Sequence, residues 1–85
     1  MSSPGKYDAL SKFLNNQDKT EQTIHLSFKK IEGIINEPLP PSARKYSAWW
    51  GNDAKTHPQG QSWVEAGWKV DGVDLSNEQV TLIRA

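Results

Sequence analysis

The residues best suited to chemistry lie in one block, LPPSARKYSAWWGN, which spans residues 39–52. The block places two adjacent cations, Arg44 and Lys45, shortly before two adjacent indole rings, Trp49 and Trp50. Guanidinium and ammonium groups bind phosphates and carboxylates, and aromatic rings supply large apolar contact areas. The block therefore predicts non-covalent binding of a partner and gives no sign of bond making or breaking.

The spacing within this block predicts a helix over residues 42–50 with Ser42 as its N-cap. At about 100° per residue, Tyr46 and Trp50 fall on one side of that helix. We therefore expect Tyr46 and Trp50 to belong to the core of the fold.

The opposite side of the predicted helix carries Arg44 and Lys45 around the small Ala48, with Trp49 on the flank. A short basic face with a small central residue suits entry into a DNA major groove, because arginine contacts guanine and lysine neutralises phosphate charge. Ser42 and the amides at the helix start could hold a phosphate. Two alternatives stay open: a solvated helix face, and an ion pair of Arg44 within the chain. The candidate partners for such an ion pair are Glu37, Asp53 and Glu65.

A polar loop after the block supplies further candidate contacts to DNA. Asparagine and glutamine pair with adenine, and lysine binds phosphate. The candidates are Asn52, Lys55, His57, Gln59 and Gln61, together with Lys69 and Arg84 near the predicted hairpin. The alternative for the loop is an ordinary hydrophilic connection, and for Lys69 and Arg84 exposed positions on strands.

Hydrophobic periodicity predicts the elements that position these residues. They are a helix over residues 6–16, a strand over 22–27, a helix from Phe28 that ends before Pro38, the helix over 42–50, a short helix between Pro58 and Gly67, and a hairpin with a bulge at Gly72. This order predicts an α+β, winged-helix-like fold with a three-stranded antiparallel sheet. We expect residues 1–5 to be disordered and residues 6–85 to form a single domain.

The amino-acid composition excludes several kinds of site and several classes of protein. The 85 residues include no cysteine, which excludes disulfides and thiolate metal sites. The formal net charge is +0. The only excess of positive charge along the sequence lies in residues 38–64, which contain three basic residues and one acidic residue. No segment resembles a signal peptide or a membrane span, so we expect a cytoplasmic protein with no membrane partner.

Catalytic chemistry finds little support in the chain. The two histidines, His25 and His57, lie in no recognisable catalytic motif, and two isolated histidines do not make a zinc site. No glycine-rich phosphate loop occurs. We expect a binding domain that is not an enzyme and that needs no cofactor.

The first functional hypothesis is a DNA-binding protein that reads duplex DNA through the helix at 42–50, as a homodimer, for example as a transcriptional regulator. It predicts that Arg44→Ala and Lys45→Ala weaken duplex binding and barely change the melting temperature. The alternative is a protein- or nucleotide-binding module, for example a defence-related factor of phage or host. Its site would be an aromatic pocket of Trp49, Trp63 and Trp68 in which Arg44 holds an anion.

Three segments also resemble a small prokaryotic domain family of uncharacterised function. They are KYDAL-x-x-FL near the N-terminus, the central pattern LPPSARKYxAWWxN, and GWKVDGVDL followed by VTLIR, so the resemblance extends from Lys6 to Arg84. It implies no established activity. It implies that one shared pattern includes Arg44, Trp49, Trp50, Asn52, Trp63 and Trp68.

Overall fold

The computed structural model describes residues 7–52 and 58–85. In chain order these residues form α1 (Asp8–Asn15), β1 (Thr23–Ser27), α2 (Phe28–Ile35), α3 (Pro41–Lys45), a 3₁₀ helix (Ser47–Trp50), α4 (Pro58–Val64), β2 (Trp68–Asp74) and β3 (Gln79–Arg84). The predicted order of elements is confirmed. The N-terminal segment expected to be disordered lies outside the described residues.

The three strands form one antiparallel sheet in the order β1-β3-β2, with β3 in the centre. β1 pairs with β3 without interruption, from Thr23 opposite Ile83 to Ser27 opposite Gln79. The β2–β3 register shifts between Val70 and Gly72, which is the bulge that the sequence predicted. The α+β class and the three-stranded antiparallel sheet are thus confirmed.

β1 continues directly into α2, and Ser27 makes the transition. Its hydroxyl accepts a hydrogen bond from the Lys30 amide at 3.0 Å, so Ser27 is the predicted N-cap. The helix ends at Ile35, earlier than the expected stop before Pro38. Asn36 follows in the left-handed conformation, with φ of 60°, and this conformation terminates a helix.

The core is built from aromatic rings packed between the helices and the sheet. Trp50 lies between Phe28 and Trp63, with ring centroids 4.9 Å and 5.9 Å away. α1 contributes Leu10 and Leu14, which are spaced four residues apart and therefore face the same side. The remaining buried apolar residues are Leu26, Ile31, Ile35, Leu39, Ala43, Ala66, Trp68, Val80 and Leu82.

The predicted helix over 42–50 is wrong in its continuity. α3 ends at Lys45, Tyr46 is extended with φ of -124° and ψ of 121°, and the 3₁₀ helix follows. Ser42 is not the N-cap, because Pro40 occupies that position and Pro41 is the first helical residue. Consequently Tyr46, which we expected in the core, is 59% exposed.

Candidate functional site

The interruption at Tyr46 has a physical cause in the hydrogen bonding of Trp50. In a continuous helix the Ala43 carbonyl would accept the amide of Ser47. Here the buried indole Nε1 of Trp50 donates to that carbonyl at 2.8 Å. Burial of an indole N–H without an acceptor is costly. The break therefore lets Trp50 enter the core with its polar atom satisfied, and it turns Tyr46 outward.

Arg44 is held by two carboxylates within the chain. Its Nη1 donates to Glu32 Oε2 at 2.9 Å and its Nε donates to Glu78 Oε2 at 3.0 Å. The guanidinium also lies 5.8 Å from the centre of the Phe28 ring. Arg44 thus links α3 to α2 and to the β2–β3 turn. The two acceptors differ from the acidic residues that we considered as its partners.

The same contacts shift the pKa of both partners in the Arg44–Glu32 pair. Hydrogen bonds from Arg44, and then from the Leu39 amide, lower the pKa of Glu32 below its ordinary value. The pKa of Arg44 is raised, mainly by its hydrogen bond to Glu32. Both groups are charged at neutral pH, so the positive charge of Arg44 is already balanced by carboxylates within the chain.

The exposed part of the block consists of residues 45–48, which we call the 45–48 patch. Lys45, Tyr46, Ser47 and Ala48 are all exposed. The backbone under Tyr46 is fixed on both sides, because its amide donates to the Ser42 carbonyl at 2.9 Å and its carbonyl accepts the Trp49 amide at 3.1 Å. The patch therefore presents one large aromatic side chain and one ammonium group on a turn whose backbone is held by two hydrogen bonds.

Trp49 is half-buried. Its ring meets Tyr7 edge-on at 6.1 Å and Trp50 edge-on at 4.7 Å. Burial, and then the charge of Glu37, raise the pKa of Tyr7. Trp49 therefore closes the core beside α1 and keeps part of its ring at the surface. Trp63 and Trp68 are fully buried, so they do not line an exposed pocket with Trp49, as the alternative hypothesis would require.

Asn52 is a structural residue of this region. Its Oδ1 accepts from the Val70 amide at 2.8 Å and from Trp63 Nε1 at 3.0 Å. Its Nδ2 donates to the Val70 carbonyl at 3.0 Å. All three contacts are within the chain. An asparagine used in this way is not free to read a base.

The other candidate contacts are divided between the interior and the surface. Gln59 is buried and donates to the Trp49 carbonyl at 3.1 Å, whereas Gln61 is exposed and donates to Glu65 at 2.8 Å. Lys69 is exposed on β2. Two further candidates, Lys55 and His57, lie outside the described residues. The structure thus brings Ser42, Arg44 and Lys45 together on α3 and distributes the others.

Arg84 resembles Arg44 in being occupied within the chain. Its guanidinium lies 4.2 Å from the Trp68 ring centre and donates at 2.9 Å to the carbonyls of Glu21 and Asp18. The β2–β3 hairpin carries three exposed carboxylates, Asp71, Asp74 and Glu78, against one exposed cation, Lys69, since Arg84 on β3 is half-buried. The surface of the hairpin is therefore acidic.

No described part of the chain assembles a metal-binding group. Within residues 7–52 and 58–85, no three histidine, aspartate or glutamate side chains lie close enough to hold a metal ion. His25 contacts the Thr81 hydroxyl at 3.0 Å on the exposed face of the sheet.

A shallow depression of about 460 Å³ on α2 is lined by Ser27, Lys29, Lys30, Gly33 and Ile34. Among the described helices, none is long and apolar enough to cross a membrane.

These features define a small α+β domain with an aromatic core and an exposed turn. The chain belongs to a family described as a domain of unknown function (DUF7662), which matches residues 7–85. No curated protein and no solved structure shows significant similarity to the chain.

Proposed function

We propose that this chain is a non-enzymatic binding domain that docks on a partner protein through the 45–48 patch, with Tyr46 as the anchor. The observation that carries the proposal is the 59% exposure of Tyr46 on a backbone fixed by two hydrogen bonds. Tyrosine offers a large contact area and loses little side-chain entropy on binding, and it is enriched among residues that dominate interface energies. A braced turn also reduces the entropy that the backbone loses on binding.

Charge favours a protein partner over duplex DNA. DNA affinity depends on several phosphate contacts made by free lysines and arginines. Arg44 and Arg84 are engaged within the chain, and the hairpin exposes more carboxylates than cations. Lys45 is the exposed cation of the patch. A complementary partner has an apolar pocket for Tyr46 with a carboxylate placed to meet Lys45.

DNA binding is the second candidate, and it is favoured by topology. The order α1, β1, α2, α3 and a C-terminal hairpin, with the sheet order β1-β3-β2, is the arrangement of winged-helix domains, to which the 3₁₀ helix and α4 are added. In this candidate the contacts come from Ser42 and Lys45 on α3, from Lys69 on the hairpin, and from Lys55 and His57, which lie outside the described residues. The likeness is one of architecture, which by itself does not determine function.

A photo-crosslinking experiment tests the protein-binding proposal. A photoreactive phenylalanine analogue replaces Tyr46 in one preparation and, in a matched control, Val64, the other exposed large apolar residue within the described ranges. Both are expressed in the source cells. The proposal expects a single protein to be linked at position 46 and not at 64. That protein, once purified, should bind the wild-type chain at least about tenfold more tightly than Tyr46→Ala, which corresponds to about 1.4 kcal/mol.

Duplex binding is measured in parallel. Fluorescence anisotropy with a labelled duplex at low salt, repeated at increasing salt, distinguishes the two candidates. Salt-sensitive binding that Lys45→Ala weakens and Tyr46→Ala spares would replace the protein-binding proposal with the DNA candidate. Absence of a crosslinked protein specific to position 46 would also contradict the proposal.

We also propose that LPPSARKYxAWWxN, residues 39–52, is a pattern shared by prokaryotic members of the family. The contacts of Arg44, Trp50 and Asn52 support this, since each residue joins separate elements of the fold. A comparison of related sequences tests it: these three positions should vary less than the exposed position 47, which the pattern leaves open.

A further inference from the structure

The outer edge of β1 has unpaired backbone groups. In an antiparallel ladder, alternate residues direct both their N–H and C=O groups to the same neighbour. The Arg84 amide donates to Gln22 and the Phe28 amide donates to Glu78, so the even-numbered residues of this segment face β3. Thr23 and His25 therefore direct their backbone groups away from the sheet. No residue among the described ranges pairs with them, and both residues are exposed.

The opposite edge of the sheet differs from this one. β2 is bent by the bulge between Val70 and Gly72, and the Asn52 side chain occupies both backbone groups of Val70. Bulges and covering groups are devices that prevent sheet edges from pairing with other chains. β1 has neither device: its ladder is regular and it contains no proline or charged residue between Thr23 and Ser27.

An antiparallel second copy of β1 fits this edge. The register that pairs all five residues of β1 places His25 opposite His25 of the second copy, and Thr23 opposite Ser27 of the second copy. Odd-numbered residues then lie opposite odd-numbered residues, as hydrogen-bonded pairs on this edge require. On the inner side, the half-buried Ile24 meets Leu26 of the second copy. The apolar inner face would thus continue across the two-fold axis.

Charge at the two ends of β1 favours the antiparallel orientation. The segment before the strand contains Asp18, Lys19 and Glu21, and Arg84 lies against it, so this end carries no net charge. The segment after the strand contains the exposed Lys29 and Lys30. A parallel copy would place these lysines of the two chains side by side, whereas an antiparallel copy places them beside the end without net charge. The charge pattern therefore selects an antiparallel second copy as the occupant.

We propose that two copies of this chain associate through β1 and form a continuous six-stranded antiparallel sheet with its two-fold axis at His25. The interface consists of backbone hydrogen bonds between Thr23–Ser27 of the two copies, with Ile24 packed beneath them. This surface is the outer edge of β1 and shares no residue with the 45–48 patch. The dimer would present two patches.

Single cysteines test the register directly, because the wild-type chain has none. His25→Cys places two thiols opposite each other across the axis, at a Cα separation within the range that a disulfide spans. Thr23→Cys is the matched control on the same strand and the same face. In the proposed register its two copies are four residues apart, about 13 Å, which a disulfide cannot span. Mild oxidation should give a covalent dimer for His25→Cys and leave Thr23→Cys monomeric.

Sedimentation equilibrium over a series of concentrations tests the association without a crosslink. The wild-type chain should show a monomer–dimer equilibrium, and His25→Pro should be monomeric. Proline at this position removes an N–H that points away from β3, so the ladder of the monomer is kept. His25→Lys should have the same effect, since it sets two like charges opposite each other. A wild-type chain that is monomeric throughout, or equal crosslinking of the two cysteine variants, overturns the proposal.

Discussion

The side chain of Asn52 forms two hydrogen bonds with the backbone of Val70, in the pattern that a residue of a neighbouring β-strand would form. Its amide donates to the Val70 carbonyl at 3.0 Å and accepts the Val70 N–H at 2.8 Å. A third bond joins the same Oδ1 to the indole of Trp63. One side chain therefore ties the segment after the 3₁₀ helix to α4 and to the edge of the sheet.

Replacement of Asn52 by alanine is expected to destabilise the fold by about 2–4 kcal/mol. It removes three hydrogen bonds and leaves the N–H of the buried Trp63 indole without its acceptor. Asn52→Asp keeps the acceptor oxygen but places a carboxylate against the Val70 carbonyl. Its free energy of unfolding should therefore lie between those of the wild type and Asn52→Ala. Urea unfolding followed by tryptophan fluorescence measures both. Asn15→Ala, at an exposed position in α1, is the control, and an equal loss in that variant would contradict the assignment.

Arg44→Ala is expected to lower the free energy of unfolding by about 1–2 kcal/mol, because it leaves Glu32 and Glu78 without their shared donor. Arg44→Lys keeps the charge but cannot reproduce the fork of two N–H donors, so it should recover only part of the loss. The DNA hypothesis from the sequence expected almost no change in melting temperature. Lys45→Ala, next to it and exposed, should stay within about 0.5 kcal/mol. Thermal unfolding of the three variants tests whether the ion pairs of Arg44 stabilise the fold. Equal melting temperatures would show that they do not.

Glu32 should contribute to acid denaturation. Its pKa is lowered in the folded protein, mainly by the hydrogen bond from Arg44, so the folded state holds its proton less tightly than the unfolded chain. Its stabilisation is present above the ordinary value of 4.5 and is lost as pH falls through the lower folded pKa. Glu32→Gln should thus be less stable at neutral pH and show a shallower loss towards acid. Unfolding curves at several pH values measure this.

The matched control for the pH experiment is Glu21→Gln. Glu21 has no side-chain ion pair among the described residues. This variant should retain the acid dependence of the wild type. If Glu32→Gln and Glu21→Gln gave identical pH profiles, the Arg44–Glu32 pair would have no part in acid unfolding.

Much of the architecture could be predicted from the sequence because local patterns determine it. The alternation of Ile24 and Leu26, the capping hydroxyl of Ser27 and the change of phase at Gly72 each act over a few residues. These signals located β1, the start of α2 and the bulge. The three-stranded antiparallel sheet followed, since a strand and a C-terminal hairpin have few ways to pair.

The site was predicted less well because its determinants are long-range. A helical wheel places Tyr46 and Trp50 on one face, but it contains no information about the Trp50 indole, which needs the Ala43 carbonyl. The partners of Arg44 are 12 and 34 residues away along the chain. Only the sheet register, which sets Glu78 beside Phe28, could have indicated one of them. The residue of the proposed site that the sequence did not indicate is therefore Tyr46, whose exposure follows from a tertiary hydrogen bond.

The last prediction concerns that hydrogen bond. Trp50→Phe keeps a ring between Phe28 and Trp63 but removes the N–H donor to Ala43, so it should cost about 1–3 kcal/mol. Without this bond the Ala43 carbonyl is free to accept the Ser47 amide, and residues 42–50 gain an alternative helical form. Trp50→Ala also empties the centre of the ring stack and should cost about 3–5 kcal/mol, which is comparable to the whole stability of a small domain. Trp49→Phe, at the half-buried neighbouring position, should cost less than either. Denaturant unfolding ranks the three variants, and amide hydrogen exchange at Ser47 reports the new helical bond. If Ser47 exchanges as fast in Trp50→Phe as in the wild type, the Trp50–Ala43 bond is not what interrupts the helix and exposes Tyr46.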